Sequence, residues 1–284
     1  MVFISHVKIV SGIQAILNFT SIMKMCTLFC LVLLTACNNG KKENDSDIMM
    51  PAKEKELKDH VAKYPDSTIV RENLIQYYRD NSNYDRAISE TDAAIRRDSL
   101  NPRYFDIKAI LHFENGDTLS AIKAFENAAR IYPDPAYLIS LGTLYAQTRN
   151  PAALQLADNL YKQAPTKIEK ESLFIKGLYY TSINDKKQAL VFFDRALAVD
   201  FNFMEAYREK ALALYDLGQY NESLAVFNKA ITVRNNFEEG YYFRGKVLEK
   251  LNRKEDAIES YQQALLFDPG YIEAKDALSR LGIK

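Results

Sequence analysis

From Thr68 to the C-terminus, large apolar, small and polar positions follow one another in a pattern that returns about every 34 residues. Its marks are Tyr84-x-x-Ala87-Ile88, Thr118-x-x-Ala121-Ile122, Lys186-x-x-Ala189-Leu190, Tyr220-x-x-Ser223-Leu224 and Lys254-x-x-Ala257-Ile258. Seven residues after the small residue of each comes an alanine: Ala94, Ala128, Ala196, Ala230 and Ala264. Self-similarity at such a period marks two-helix units that stack into an array. Six units are predicted, beginning near Thr68, Pro102, Pro135, Lys170, Met204 and Glu238. Pro65, Pro102, Pro133, Pro135, Pro151, Pro165 and Pro269 fall at predicted helix ends or starts, where a missing N–H costs little. No segment alternates with period two over a useful length, so no sheet is expected.

The third unit is irregular. Asn150-Pro151 reads as the cap and start of its second helix, but its alanine marks fit only after a shift of a few residues. Residues 53–67, ahead of the array at 68–271, hold one more helix with Leu57 and Val61 facing inward. Residues 272–284 set Ile272, Ala274, Ala277, Leu278 and Leu281 among charges. A terminal cap needs that character, one face for the last repeat and one for water.

The N-terminal region is of another kind. Met23-Lys24-Met25 opens a stretch with one positive charge, followed by the apolar run Cys26 to Leu34 and then Thr35-Ala36-Cys37. A charged start, a short apolar segment and small residues form a secretory signal. The run is too short for a transmembrane helix, which needs about 20 apolar residues. Leu34-Thr35-Ala36-Cys37 resembles the bacterial lipobox. That resemblance implies cleavage of the signal at 23–36, diacylation of the Cys37 thiol and acylation of its new amino group. Residues 1–22 then form an upstream extension that the signal does not need, with translation starting at Met23 or Met25. Residues 37–52 are polar and charged and cannot repay the entropy of folding. As a flexible tether they hold the folded part about 20 Å from a bilayer on average. Asn38 after the lipidated cysteine resembles outer-membrane sorting signals, with the periplasmic and surface faces both open.

The repeat resembles the tetratricopeptide repeat over about three quarters of the chain. In that family a small residue at the centre of helix A lets it approach a neighbouring helix B; here it is Ala109, Gly142, Gly177, Ala211 or Gly245. Phe105, Leu138, Leu173, Tyr207 and Tyr241 stand where the family favours tryptophan, a residue this chain lacks. Phe125, Phe193, Phe227 and Tyr261 fill helix B at equivalent places. The implied fold is all-α: a right-handed helical solenoid of about six repeats with a C-terminal capping helix.

Such arrays expose a concave groove lined by helix A, and by resemblance it includes positions 2, 5, 9 and 12 of each repeat. Those positions give Glu72, Gln76 and Arg79, then Arg103, Asp106, Ile110 and Phe113. Ile139, Thr143, Phe174, Leu178 and Thr181 form the middle, and Arg208, Leu212, Tyr215, Tyr242 and Lys246 the far end. An apolar centre between polar ends suits an extended peptide or a docked helix, with aromatic anchors. Repeats that clamp a C-terminal carboxylate use lysine and asparagine at fixed places. Glu72 with Gln76, Asp106 with Ile110, and Ile139 with Thr143 supply no such cationic pair.

Composition narrows the functional classes. The chain has 37 basic and 37 acidic side chains, and two of the basic ones, Lys8 and Lys24, precede Cys37, which leaves −2 after processing. That balance gives no basic footprint for nucleic acid. Of Cys26, Cys30 and Cys37 only the last survives cleavage, so no thiolate metal site or cysteine nucleophile is expected. His60 and His112 have no nucleophile or metal partner in the pattern. The segment from Gly240 to Lys246 has the outline of a phosphate-binding loop, but it falls within a predicted helix whose amides are already used. The expectation is a membrane-anchored, non-enzymatic scaffold or adaptor of the bacterial envelope, without cofactor or metal, that binds other proteins in its groove. The alternative is a structural subunit of an envelope secretion, pilus or gliding assembly.

Overall fold

The computed structural model describes residues 51–283. Fourteen α-helices follow one another among them: α1 (Ala52–Lys63), α2 (Thr68–Asp80), α3 (Tyr84–Arg97), α4 (Pro102–Glu114), α5 (Thr118–Ile131), α6 (Pro135–Gln147), α7 (Ala152–Gln163), α8 (Pro165–Ser182), α9 (Lys186–Val199), α10 (Met204–Asp216), α11 (Tyr220–Val233), α12 (Glu238–Lys250), α13 (Lys254–Phe267) and α14 (Ile272–Arg280). Each packs chiefly on its chain neighbours. The even-numbered helices from α2 to α12 are the A helices of six repeats, and α3 to α13 are their B helices. The result is an all-α solenoid whose core runs along the axis as a string of small apolar clusters.

Local chemistry sets the ends of these helices. Ser67, Asn83, Asn101, Asp117, Asp134 and Asp185 each accept a hydrogen bond from a backbone N–H of the helix they precede. The turn from each A helix to its B helix passes through a residue with positive φ: Ser82, Gly116, Arg149, Asn184, Gly218 and Asn252. The repeat is therefore as visible in the backbone as in the side chains.

Small residues carry the packing. Ala87, Ala121, Ala189, Ser223 and Ala257 are fully buried, and so are Ala128, Ala196, Ala230 and Ala264 seven residues on, with Ala94 close behind. Ser223 is polar, but its Oγ donates to the carbonyl of Ala211 at 2.8 Å, so its burial costs little. A Cβ added to Gly245 meets the Tyr261 ring of the partner B helix at 2.6 Å, and one at Gly177 presses on Phe193 in the same way. At those two repeats the glycine admits the aromatic ring of its own B helix. Gly142 differs, since its added Cβ meets Ile175 of α8, the next A helix, at 2.9 Å.

That difference belongs to the irregular third repeat. Asn150 does cap α7, accepting from Ala152 N at 3.0 Å. Ala153 and Leu160 take the two buried small-residue sites, so leucine replaces the second alanine. The interval is 32 residues from Ala121 to Ala153 and 36 from there to Ala189, which restores the phase. The extra length enters α8, which begins at Pro165 rather than near Lys170 and buries Ile168 in its added turn. At the array ends, Leu57 is buried and Val61 half-buried in α1, while Ala274, Ala277 and Leu278 of α14 cover the last repeat. Ile272 does not join them; it is 67% exposed at the start of α14.

Candidate functional site

The A helices form one wall, and charges stitch its outer repeats together. Arg103 of α4 grips Glu72 of α2 with both ends of its guanidinium, at 2.6 and 2.7 Å. Arg79 reaches forward to Glu114 of α4, its Nε at 2.8 Å. At the other end Arg280 of α14 makes the same bidentate contact with Glu249 of α12, at 2.7 and 2.8 Å. Such largely exposed pairs contribute little stability singly. Gln76 is exposed and bonds only within its own helix, to Asp80 at 2.6 Å.

Two residues assigned to the groove are not surface residues. Leu178 is 7% exposed and belongs to the core between α7, α8 and α9. Arg208 is 6% exposed and bonds Glu209 at 3.0 Å and Glu239 of α12 at 2.9 Å. Burial works against its charge, but the two carboxylates more than offset that and hold its pKa above the ordinary arginine value. Phe174 is only half-buried, yet its ring lies 5.8 Å from Phe193 and 5.0 Å from Phe203, so the α8–α9–α10 junction uses it.

The other assigned positions remain half-open. Ile110 and Phe113 flank the second-repeat core, and Ile139 packs at the edge of the central one. Thr143 donates back to the Ile139 carbonyl at 2.9 Å. Leu212 and Tyr215 cover the core beside α11, and Tyr215 meets Tyr220 edge-on at 5.3 Å. Tyr242 sits among Phe243, Tyr261 and Tyr271 with centroids 5.0 to 5.8 Å away. Lys246 lies over the Tyr242 and Phe243 rings at 5.7 and 5.5 Å, and burial pulls its pKa below the usual lysine value. Asp106 is half-buried against α6, and burial pushes its carboxyl up to about 6; Arg103 opposes the rise and Asp134 adds to it.

The centre of the wall holds a feature that sequence reading passes over. On α8, Glu171 Oε2 and Thr181 Oγ1 are both buried without a hydrogen-bond partner. Burial raises the Glu171 pKa, and Lys170 eases that only from 3.9 Å. Thr181 follows from the position rule, and position 2 of the same rule reaches Glu171. Glu205, Glu239 and Glu273 repeat it on α10, α12 and α14 at intervals of 34 residues. This acidic row stands in first helical turns, where the macrodipole favours it. His112 is half-buried near Asp117 at 3.7 Å, with burial lowering its pKa, and His60 is exposed. The Gly240–Lys246 segment lies inside α12, its amides spent on the helix. Cys37 lies outside the described residues.

An array of helix pairs with a partly open wall defines a repeat protein of the interaction class, and comparison with known families agrees. Tetratricopeptide-repeat models match residues 72–136, 107–168 and 238–271, and a further TPR-repeat model matches 211–252. The chain belongs to the tetratricopeptide-repeat family. Its fold is similar to a tetratricopeptide repeat protein from Parabacteroides merdae ATCC 43184, with TM-score 0.66 and 19% identity over 81% of this chain and 91% of that one. PilW, described as a widely conserved type IV pilus biogenesis factor, aligns with TM-score 0.55 and 19% identity over 75% of this chain and 99% of its own. A thermophilic TPR protein of Thermus thermophilus aligns with TM-score 0.54 and 18% identity over 63% and 98%. No curated protein matches the sequence. Members of the family act as protein–protein interaction scaffolds, and no catalytic family is indicated.

Proposed function

We propose that this chain is a lipid-anchored adaptor of the bacterial envelope, at the outer membrane, that holds an extended segment of a partner protein along its A-helix wall. The observation that carries the wall assignment is the pair of orphaned oxygens on α8. A buried polar group left unpaired costs about 1–3 kcal/mol, a cost that a partner's polar groups reaching this helix would offset. Glu171 and Thr181 accept from backbone N–H groups or a basic side chain of the segment. Half-open Ile139, Tyr215 and Tyr242 receive its apolar residues. The exposed carboxylates of Glu205 and Glu273 favour a basic segment over an acidic one. Tether and acyl chains on Cys37 supply the location. Among the described residues no helix is long and apolar enough to cross a membrane.

Crosslinked capture from envelope extract tests the wall, using the chain from Cys37 onward and the double variant Glu171→Gln, Thr181→Val as baits. The variant removes unpaired polar groups, so it is expected to melt at the wild-type temperature or higher while losing the partner. A partner retained by the folded variant moves the interface elsewhere and favours a permanently assembled structural subunit. Mass spectrometry of the membrane-extracted protein tests the anchor separately: a Cys37 N-terminus carrying the two chains on its thiol and a third on its amino group is expected, and a Cys37→Ser chain keeps its signal.

A further inference from the structure

Position 4 of helix A is a large apolar residue in repeats two to six: Phe105, Leu138, Leu173, Tyr207 and Tyr241. The first repeat puts Arg71 there. Its side chain is as deeply placed as the apolar ones, 7% exposed, and one nitrogen, Nη1, donates to Glu90 of α3 at 2.8 Å. A buried ion pair does not stabilise a solenoid better than the packed apolar residue it replaces. Five other repeats manage without it. Beside Arg71, α1 and α3 flank an open cleft of about 400 Å³. Arg71 and Leu74 line it from α2, Lys58 and Val61 from α1, and Glu90 and Arg97 from α3.

Lys58 is held by Glu54 at 3.1 Å and Arg97 by Asp66 at 2.9 Å, so the rim cations are already balanced outside the cleft. Arg71 is different, because Glu90 takes only Nη1 and the Nε–Nη2 edge of the guanidinium carries no hydrogen bond. That planar edge matches a carboxylate in two parallel bonds. The half-exposed walls beside it, Val61 and Ala93, are apolar. We propose that the cleft between α1 and α3 is a second binding site, remote from the A-helix wall, for a compact apolar carboxylate: its carboxylate on Arg71, its hydrocarbon on Val61 and Ala93. A free aryl or alkyl acid and the C-terminal residue of a peptide present the same chemistry.

The test is an NMR titration of the chain from Cys37 with 3-phenylpropanoate, its neutral amide, and a tripeptide ending in phenylalanine with free or amidated C-terminus. Saturable shifts confined to α1, α2 and α3 are expected for a carboxylate form, with the matching amide at least tenfold weaker. Saturation by the small acid or by the peptide alone assigns the source. Arg71→Leu, the residue used at the equivalent sites of repeats three and four, is expected to fold and to weaken binding at least tenfold. Glu90→Gln, which removes the competing carboxylate, is expected to tighten it and decides the matter if the first variant fails to fold. Equal binding of acid and amide, no saturation by any probe, or affinity unmoved by these substitutions overturns the site and leaves Arg71–Glu90 a structural ion pair.

Discussion

Asp106 shows what one half-buried charge does to this wall. Its carboxyl titrates at about 6 in the folded chain against 3.8 for a free aspartate, with burial as the leading cause. Between those values the folded state binds a proton that the unfolded state does not, so this group's contribution to stability falls as pH rises from about 4 to 6. Above that window the folded protein carries an ionised acid it would rather protonate. Asp106→Asn is therefore expected to stabilise by about 1–2 kcal/mol at pH 7.5, after allowance for solvent screening, and by nothing at pH 3.5. Denaturant midpoints of both proteins at the two pH values check this, and an equal difference at both would refute it. A second residue has no such ambivalence. Arg149 adopts φ 60°, a turn conformation held by glycine or asparagine in four of the other repeats and by serine in one. Arg149→Gly should raise stability by about 0.5–1 kcal/mol, read as a higher melting temperature with unchanged circular dichroism.

At the scale of the helix, two glycines with the same sequence role have different surroundings. Gly177 of α8 faces the ring of Phe193, which is fully buried and has nowhere to move. Gly142 of α6 faces the tip of the Ile175 side chain, which can turn. Alanine at 177 should thus cost about 2–3 kcal/mol through overpacking. Alanine at 142 should come within about 1 kcal/mol of neutral, since its better helix propensity offsets the contact. Melting of the two variants side by side separates them, and a smaller loss at 177 than at 142 contradicts the packing described here. These glycines also show how far the sequence speaks. Helix starts, the central small residues and the capping helix were legible because each small residue reports a close contact that recurs at a fixed period. The third repeat was not, because Leu160 stands where an alanine was sought and the shortened α7 is repaid only in α8. The wall was legible as positions but not as exposures. Arg208, Asp106 and Ile139 share one stretch of the position rule, yet Glu239 on the next helix buries Arg208 while the other two stay half-open. Such pairings join residues about 31–35 apart and depend on side-chain reach across a seam, which one repeat's pattern does not encode.

For the molecule as a whole, stability is a sum over neighbours, because among the described residues each repeat packs chiefly on the units beside it. Damage at one end should then stay near that end. The C-terminal end makes the best test, since α14 and the residues just after it cover the last repeat: Ala277 and Leu278 close over Leu248 and Tyr261, and Arg280 clasps Glu249. Deleting residues 272–284 bares Tyr261, whose hydroxyl bonds the same Glu249 and whose pKa burial and that carboxylate both push upward. A terminal repeat without its polar cap loses apolar burial at about 25 cal/mol per Å² and frays. In hydrogen exchange, the shortened chain should lose at least tenfold protection through α12 and α13 while α2 to α5 keep theirs. Uniform loss along all repeats would instead mean that the array unfolds as one cooperative block. That outcome bears on the proposed function, since a wall that opens only at its C-terminal end keeps Glu171 and Thr181 in place for the partner proposed above, whereas a block does not.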